Sequence, residues 1–193
     1  MHLWDSMPFL LIIFSVLCAF ISPVFARWKR EYSPYLAIFS VTVSFLNSCV
    51  LAYRVFCGGI IYYHVADWSP PWGIEIVIDE LSAAMLLLLS GCCLLITFYS
   101  IRALPKEIPE HATGWYYTVL LLTLTSMMGM VITNDIFNFY VMVEVTQIGA
   151  CGLVAVRGGK HSTEATLRYL MLASLGSGFI LFGIGFLYQV TGN

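Results

Sequence analysis

The sequence predicts an all-α integral membrane protein with six transmembrane helices, both termini outside, and a short β-hairpin-like loop between helices 2 and 3. Three observations carry this reading. Of 193 residues, 60% are hydrophobic and 10% are charged, against about 45–50% and about 25% in a soluble domain. Six stretches are long and apolar enough to cross a bilayer. Lysine and arginine gather in alternate connections. A soluble fold of this composition would expose a large apolar surface, and disorder needs low hydrophobicity with high charge. A net charge of −2 with no basic block excludes nucleic acid as an expected partner.

The spans follow in order. Residues 6–26, 32–53, 81–101, 112–134 and 169–193 contain no Asp, Glu, Lys or Arg, and residues 136–156 contain only Glu144. Each is long enough for a hydrocarbon core of about 30 Å at about 1.5 Å per residue. Lipid offers the backbone no hydrogen-bond partners, so the spans must be helices. The alternating segments of about 10 residues that a β-barrel needs are missing. The whole chain, 1–193, reads as one membrane domain, with the last helix over about 169–190. The first span has a cleavage-like Val24-Phe25-Ala26, but Asp5 and no cation precede it, so it reads as a retained helix rather than a signal peptide.

Arg27, Lys29, Arg30, Arg102, Lys106, Arg157, Lys160 and Arg168 fall on one side, and only Arg54 on the other. This bias places the 27–31, 102–111 and 157–168 connections in the cytoplasm and both termini outside. The outer 54–80 connection holds the strand formers of 60–65, a Trp68-Ser69-Pro70-Pro71-Trp72-Gly73 turn, and a partly alternating Ile74–Ile78. A small hairpin lying on the membrane surface is expected, with Trp68 and Trp72 in the headgroup belt. Its role is either to close the helix pair or to contact a neighbouring subunit. Asp79-Glu80-Leu81-Ser82 reads as a helix start.

Cys18, Cys49, Cys57, Cys92, Cys93 and Cys151 form no C-x-x-C pattern, and His2, His64, His111 and His161 lie outside the spans. These residues read as small apolar side chains and loop polars, so neither a metal site nor any other cofactor is expected in this chain. There is no phosphate-binding glycine motif. Any redox chemistry would belong to another subunit.

Glu144 is the informative residue. It lies eight residues after Ile136, about 12 Å along its span. A carboxylate at that depth is costly unless it finds water or a partner, and such groups usually mark ion paths. Tyr140, Gln147 and Cys151 share its helix face. Tyr140 and Gln147 are therefore candidates for the same path, and Arg168 is a candidate charge on its cytoplasmic half. The plainer readings are a protonated Glu144 acting as polar glue between helices and an Arg168 that snorkels to the interface. Ala173/Ser177 and Ser174/Gly178 are small-x-x-x-small pairs suited to close helix packing.

The run Asn134-Asp135-Ile136-Phe137-Asn138-Phe139-Tyr140-Val141-Met142-Val143-Glu144 resembles the fifth-helix motif of the antiporter-like subunits. That family comprises the L, M and N subunits of NADH-quinone oxidoreductase, the A and D subunits of Mrp cation/proton antiporters, and subunits of membrane-bound hydrogenases. Trp68 through Ser82 is similar to the family's segment before helix 3, and Glu164 through Gly185 to its sixth helix. The resemblance covers essentially the whole chain. It implies that Glu144 is the helix-5 glutamate paired in the family with a helix-7 lysine in a proton path. Arg168 stands where many members have lysine, and Val143 where an aromatic is common.

Family members have about fourteen helices, including two inverted five-helix repeats, and these 193 residues reach helix 6. The resemblance therefore implies a membrane-arm subunit of a complex I-like or Mrp-like complex in a prokaryotic plasma membrane or an organellar inner membrane. On that resemblance it is expected to contribute to a path for H+ or Na+, and other membrane subunits, one carrying helix 7 onward, are expected as partners. The alternatives are a non-conducting scaffold and a small homo-oligomeric transporter.

Overall fold

A computed structural model describes residues 7–28, 32–65, 68 and 73–192. It contains six long helices, α1 (Met7–Trp28), α2 (Tyr32–Gly58), α3 (Glu80–Glu107), α4 (Thr113–Ile132), α5 (Ile136–Ala155) and α6 (Lys160–Thr191), and two strands, β1 (Ile61–His64) and β2 (Glu75–Ile78). All six helices are long and apolar enough to span a bilayer. The 29–31 part of the first connection, the acid at Asp5, His2, and the Ser69–Trp72 part of the 54–80 segment lie outside the described residues.

The core is the packing of α1 to α4. The α4 span is 56% buried, against 11% for α5 and for α6, so α4 is the central post. Helix α1 packs against α2 and α4, α2 against α3, α5 against α4, and α6 against α5. Leu121, Met128 and Ile132 of α4 are fully enclosed with Leu11, Val41, Leu51 and Leu86.

Lipid offers no hydrophobic gain for helix association, so small residues and hydroxyls carry it. Ser33, Ala37, Ser40, Ser44 and Ser48 form a buried stripe on α2 at spacings of three and four. Ser15 Oγ of α1 meets Ser44 Oγ at 2.7 Å, and Ser22 meets Ser33 at 3.0 Å. Each pair thus joins two helices; of Ser15 and Ser44, one hydroxyl donates across the interface, and the other accepts that bond while donating to a carbonyl of its own helix. Ser100 of α3 and the buried Tyr117 of α4 make a similar tie at 3.1 Å.

Helix α2 runs on to Gly58, and between it and α3 the strands β1 and β2 pair antiparallel in the register Ile61↔Ile78 to His64↔Glu75. Ile76 and Ile78 point inward and are buried, as a half-covered strand requires. Trp68 is 63% exposed. Asp79 caps α3, and its carboxylate accepts from the Ser82 N–H at 2.7 Å. That hydrogen bond holds the Asp79 carboxyl below the usual carboxylate range.

Helix α6 begins at Lys160, nine residues before the charge-free stretch starting at 169. Its first turns form a polar helical extension, reached through Gly158 and Gly159 at φ 72° and 85°. Two successive left-handed residues favour glycine because a Cβ would be strained there. Arg168 therefore lies two turns inside the helix rather than at its start.

Candidate ion-path site

The site is built on α5. Asp135 starts this helix, its Oδ1 accepting from the Phe137 N–H at 2.6 Å and the Asn138 N–H at 3.0 Å. Asn138 Nδ2 donates back to Thr133 Oγ1 at 2.8 Å. These contacts satisfy donors that the first helical turn leaves open.

One face of α5 is committed to α4. Thr146 Oγ1 donates to Ser126 Oγ at 2.9 Å. A Cβ on Gly149 would collide with the Thr123 hydroxyl, and one on Gly129 of α4 would press on the Met142 sulfur. Met142, Thr146, Gly149 and Leu153 recur at three- and four-residue spacing, which makes one stripe. At 3.6 residues per turn, Tyr140, Glu144, Gln147 and Cys151 fall on the opposite side of the helix.

On that opposite face the Tyr140 hydroxyl donates to Glu144 Oε1 at 3.0 Å. Tyr140, Glu144 and Gln147 are half-buried, and Cys151 is buried. A hydroxyl donating to a carboxylate is a charge-assisted hydrogen bond, stronger than a neutral one. The geometry thus holds one carboxylate oxygen and leaves the other oriented on a partly open face.

Helix α6 crosses beside this face. Ser177 is buried, and its side chain lies within interaction range of Tyr140. Ala173 is half-buried four residues earlier, so the Ala173/Ser177 pair sits on the stripe that meets α5. Ser174 is exposed, and no atom lies within 4 Å of a Cβ built on Gly178. The Ser174/Gly178 pair therefore faces away from the described helices. Arg168 does not join Glu144. Its Nη2 pairs with Glu164 Oε1 at 2.7 Å on the same helix, with 76% of the side chain exposed.

Sequence reasoning missed the bond that anchors the start of this helix. Glu75 of β2 accepts from Asn134 Nδ2 at 2.6 Å and, through its backbone carbonyl, from the Asn134 N–H at 3.0 Å. Residues 59 positions apart leave no periodic signal. Among the described residues, no cluster of three or more His, Cys, Asp or Glu side chains is arranged to hold a metal ion.

Known proteins resemble this chain in sequence and fold. Residues 133–193, which include α5, α6 and Glu144, match the family described as NADH:quinone oxidoreductase/Mrp antiporter, TM. The N subunit of the NADH-quinone oxidoreductase of Desulforudis audaxviator is 31% identical over 97% of this chain and 37% of its own length. This chain is therefore similar to members of the antiporter-like subunit family. The D-type component of the Na(+)/H(+) antiporter of Bacillus subtilis is 27% identical over 94% of this chain and 37% of that relative. A chain in the structure of the membrane-bound sulfane sulfur reductase, an archaeal respiratory membrane complex, superposes with a TM-score of 0.90 at 28% identity, covering 97% of this chain and 38% of that one. These residues thus span a little over a third of the length of the relatives they match.

Proposed function

We propose that this chain is an ion-translocating part of the membrane arm of a complex I-like or Mrp-like assembly. Its segment of the path is centred on Glu144, in a prokaryotic plasma membrane. The observation that supports this reading is the placement of Glu144. It sits mid-span on the face of α5 turned away from α4, with the Tyr140 hydroxyl as donor. A buried structural carboxylate would be enclosed by several donors. This one is half-buried and held at one oxygen, which suits a group that gains and loses a proton.

The exchanging cation comes from outside the 193 residues, either from a continuation of this polypeptide or from a separate membrane subunit. Gln147, one turn along the same face, supplies a polar group on the cytoplasmic side of Glu144 by the lysine and arginine distribution. Arg168, paired with Glu164, serves the cytoplasmic mouth rather than the mid-span carboxylate. Redox or cofactor chemistry, where the assembly performs it, resides in other subunits.

The test is Glu144→Gln in the complete assembly, assayed for H+ and Na+ movement in sealed vesicles. Assembly is expected to persist while coupled transport is lost. Normal transport in that variant would instead support a scaffold role. Co-purification with subunit identification separates a single long chain from a divided one.

A further inference from the structure

The outer hairpin holds the start of the Glu144 helix through one carboxylate. Glu75 Oε2 accepts from Asn134 Nδ2 at 2.6 Å, and Glu75 Oε1 faces His64 Nε2 at 3.3 Å. The adjacent backbone is joined as well, by the Glu75 carbonyl to the Asn134 N–H and by a bridge between Ile76 and Thr133. Asn134 precedes Asp135, the residue that caps α5. The contact therefore runs from β1, through Glu75, to the turn that sets where α5 begins. Tyr140 and Glu144 follow on the same rigid helix.

The two partners differ in access to water. The Glu75 side chain is 20% exposed and that of His64 is 41%. A charged His64 would make a charge-assisted bond to Glu75, while a neutral one contributes a weaker hydrogen bond. Histidine is the side chain whose charge changes around neutral pH. Among the described residues, the other titratable groups of the elements joined here are Tyr62 and Tyr63 of β1, Asp79 and Glu80 at the start of α3, Asp135 at the start of α5, and Arg54 near the end of α2.

We infer that Glu75 is a positioning residue for the path through Glu144, and that its ion pair with His64 ties this positioning to the pH outside the membrane. The inference rests on the Glu144 reading for its functional half and on the hairpin geometry for its structural half. Lower external pH tightens the hairpin on the 133–135 turn and fixes the start of α5. Higher external pH loosens it.

Hydrogen–deuterium exchange on the complete assembly in nanodiscs tests the structural half. Glu75→Ala is expected to raise exchange at the 133–139 amides by about tenfold, the scale of losing one hydrogen bond to a charged group. Glu75→Gln, which keeps the acceptor oxygen for Asn134, is expected to recover part of the protection. Transport across a range of external pH tests the coupling. The wild-type rate is expected to fall as external pH is raised, and His64→Gln is expected to remove that fall. His64→Gln leaves the Asn134 contact intact, so it remains informative if Glu75→Ala does not assemble. Unchanged exchange in Glu75→Ala, or a wild-type pH profile in His64→Gln, overturns the inference. Normal transport in Glu144→Gln strikes the path itself and leaves the exchange result standing.

Discussion

The Tyr140 hydroxyl donates to Glu144 Oε1 at 3.0 Å, one helical turn away on the face of α5 that α4 leaves uncovered. The pair is local, so its geometry depends on α5 remaining helical rather than on a distant element. Its setting is not local, because α4 occupies one side of α5 and Ser177 of α6 stands beside Tyr140.

Tyr140→Phe removes the hydroxyl and keeps the ring. Loss of one hydrogen bond to a charged group should slow transport by about tenfold, with unchanged assembly. Rates measured in sealed vesicles at matched protein amounts check this. A wild-type rate would show that the hydroxyl has no part in the path.

Gly149→Val should disturb the α4–α5 contact, because the space a Cβ would need is taken by the Thr123 hydroxyl. Overpacking of this kind costs about 1–3 kcal/mol. A lower thermal midpoint in detergent is expected. Gly178→Val is the control, since no atom lies within 4 Å of its Cβ position; among these helices it should be nearly neutral.

Ser44→Ala should weaken the α1–α2 contact through loss of the 2.7 Å Ser15–Ser44 bond. Interhelical hydrogen bonds in membranes average about 0.6 kcal/mol, so the effect is small. Ser44→Leu, which also overfills the stripe, should be clearly worse. Unfolding in mixed micelles distinguishes the two.

Asp79 gives a pH-dependent term. Its carboxyl is held below the usual range by the Ser82 N–H. A depressed folded-state value means the stabilisation is present above the unfolded carboxylate range, near pH 4, and is lost as pH falls through the lower folded value. Asp79→Asn keeps a capping side chain but should lose this acid-dependent limb. Thermal midpoints from pH 2 to pH 6 would show it as a flatter curve than wild type.

Orientation remains an expectation from the lysine and arginine bias. A reporter active only outside the cytoplasm should work when inserted after Gly59 and be silent after Gly159. The reverse pattern would invert the sidedness of the His64 proposal as well.

Much of the fold was legible because lipid imposes a simple rule: each span must satisfy its backbone within one helix. The strand pairing was legible from its strand formers. The polar start of α6 was not legible in hydropathy, because charge there ends the apolar stretch without ending the helix. The Glu164–Arg168 pair at i,i+4 was the available signal, since such pairs favour helix. The Ser33-to-Ser48 stripe was missed, although its small residues at three- and four-residue spacing were the available signal. The small residues of α6 show the same spacing, yet Ser177 is enclosed while Ser174 lies open. Spacing marks a face that can pack closely and leaves open whether another helix meets it.

The sequence by itself determined that the chain crosses a bilayer six times and carries one mid-span carboxylate. Hydropathy and helical period are properties of neighbouring residues, so they can be read along the chain. Only the tertiary structure decided which face of α5 is spent on α4, that Arg168 pairs with Glu164 rather than reaching Glu144, and that Glu75 anchors the turn before α5. Those outcomes depend on which helices meet and at what height. Such contacts join residues far apart in sequence, where small differences in side-chain size and hydrogen bonding choose among many pairings that composition alone leaves equal.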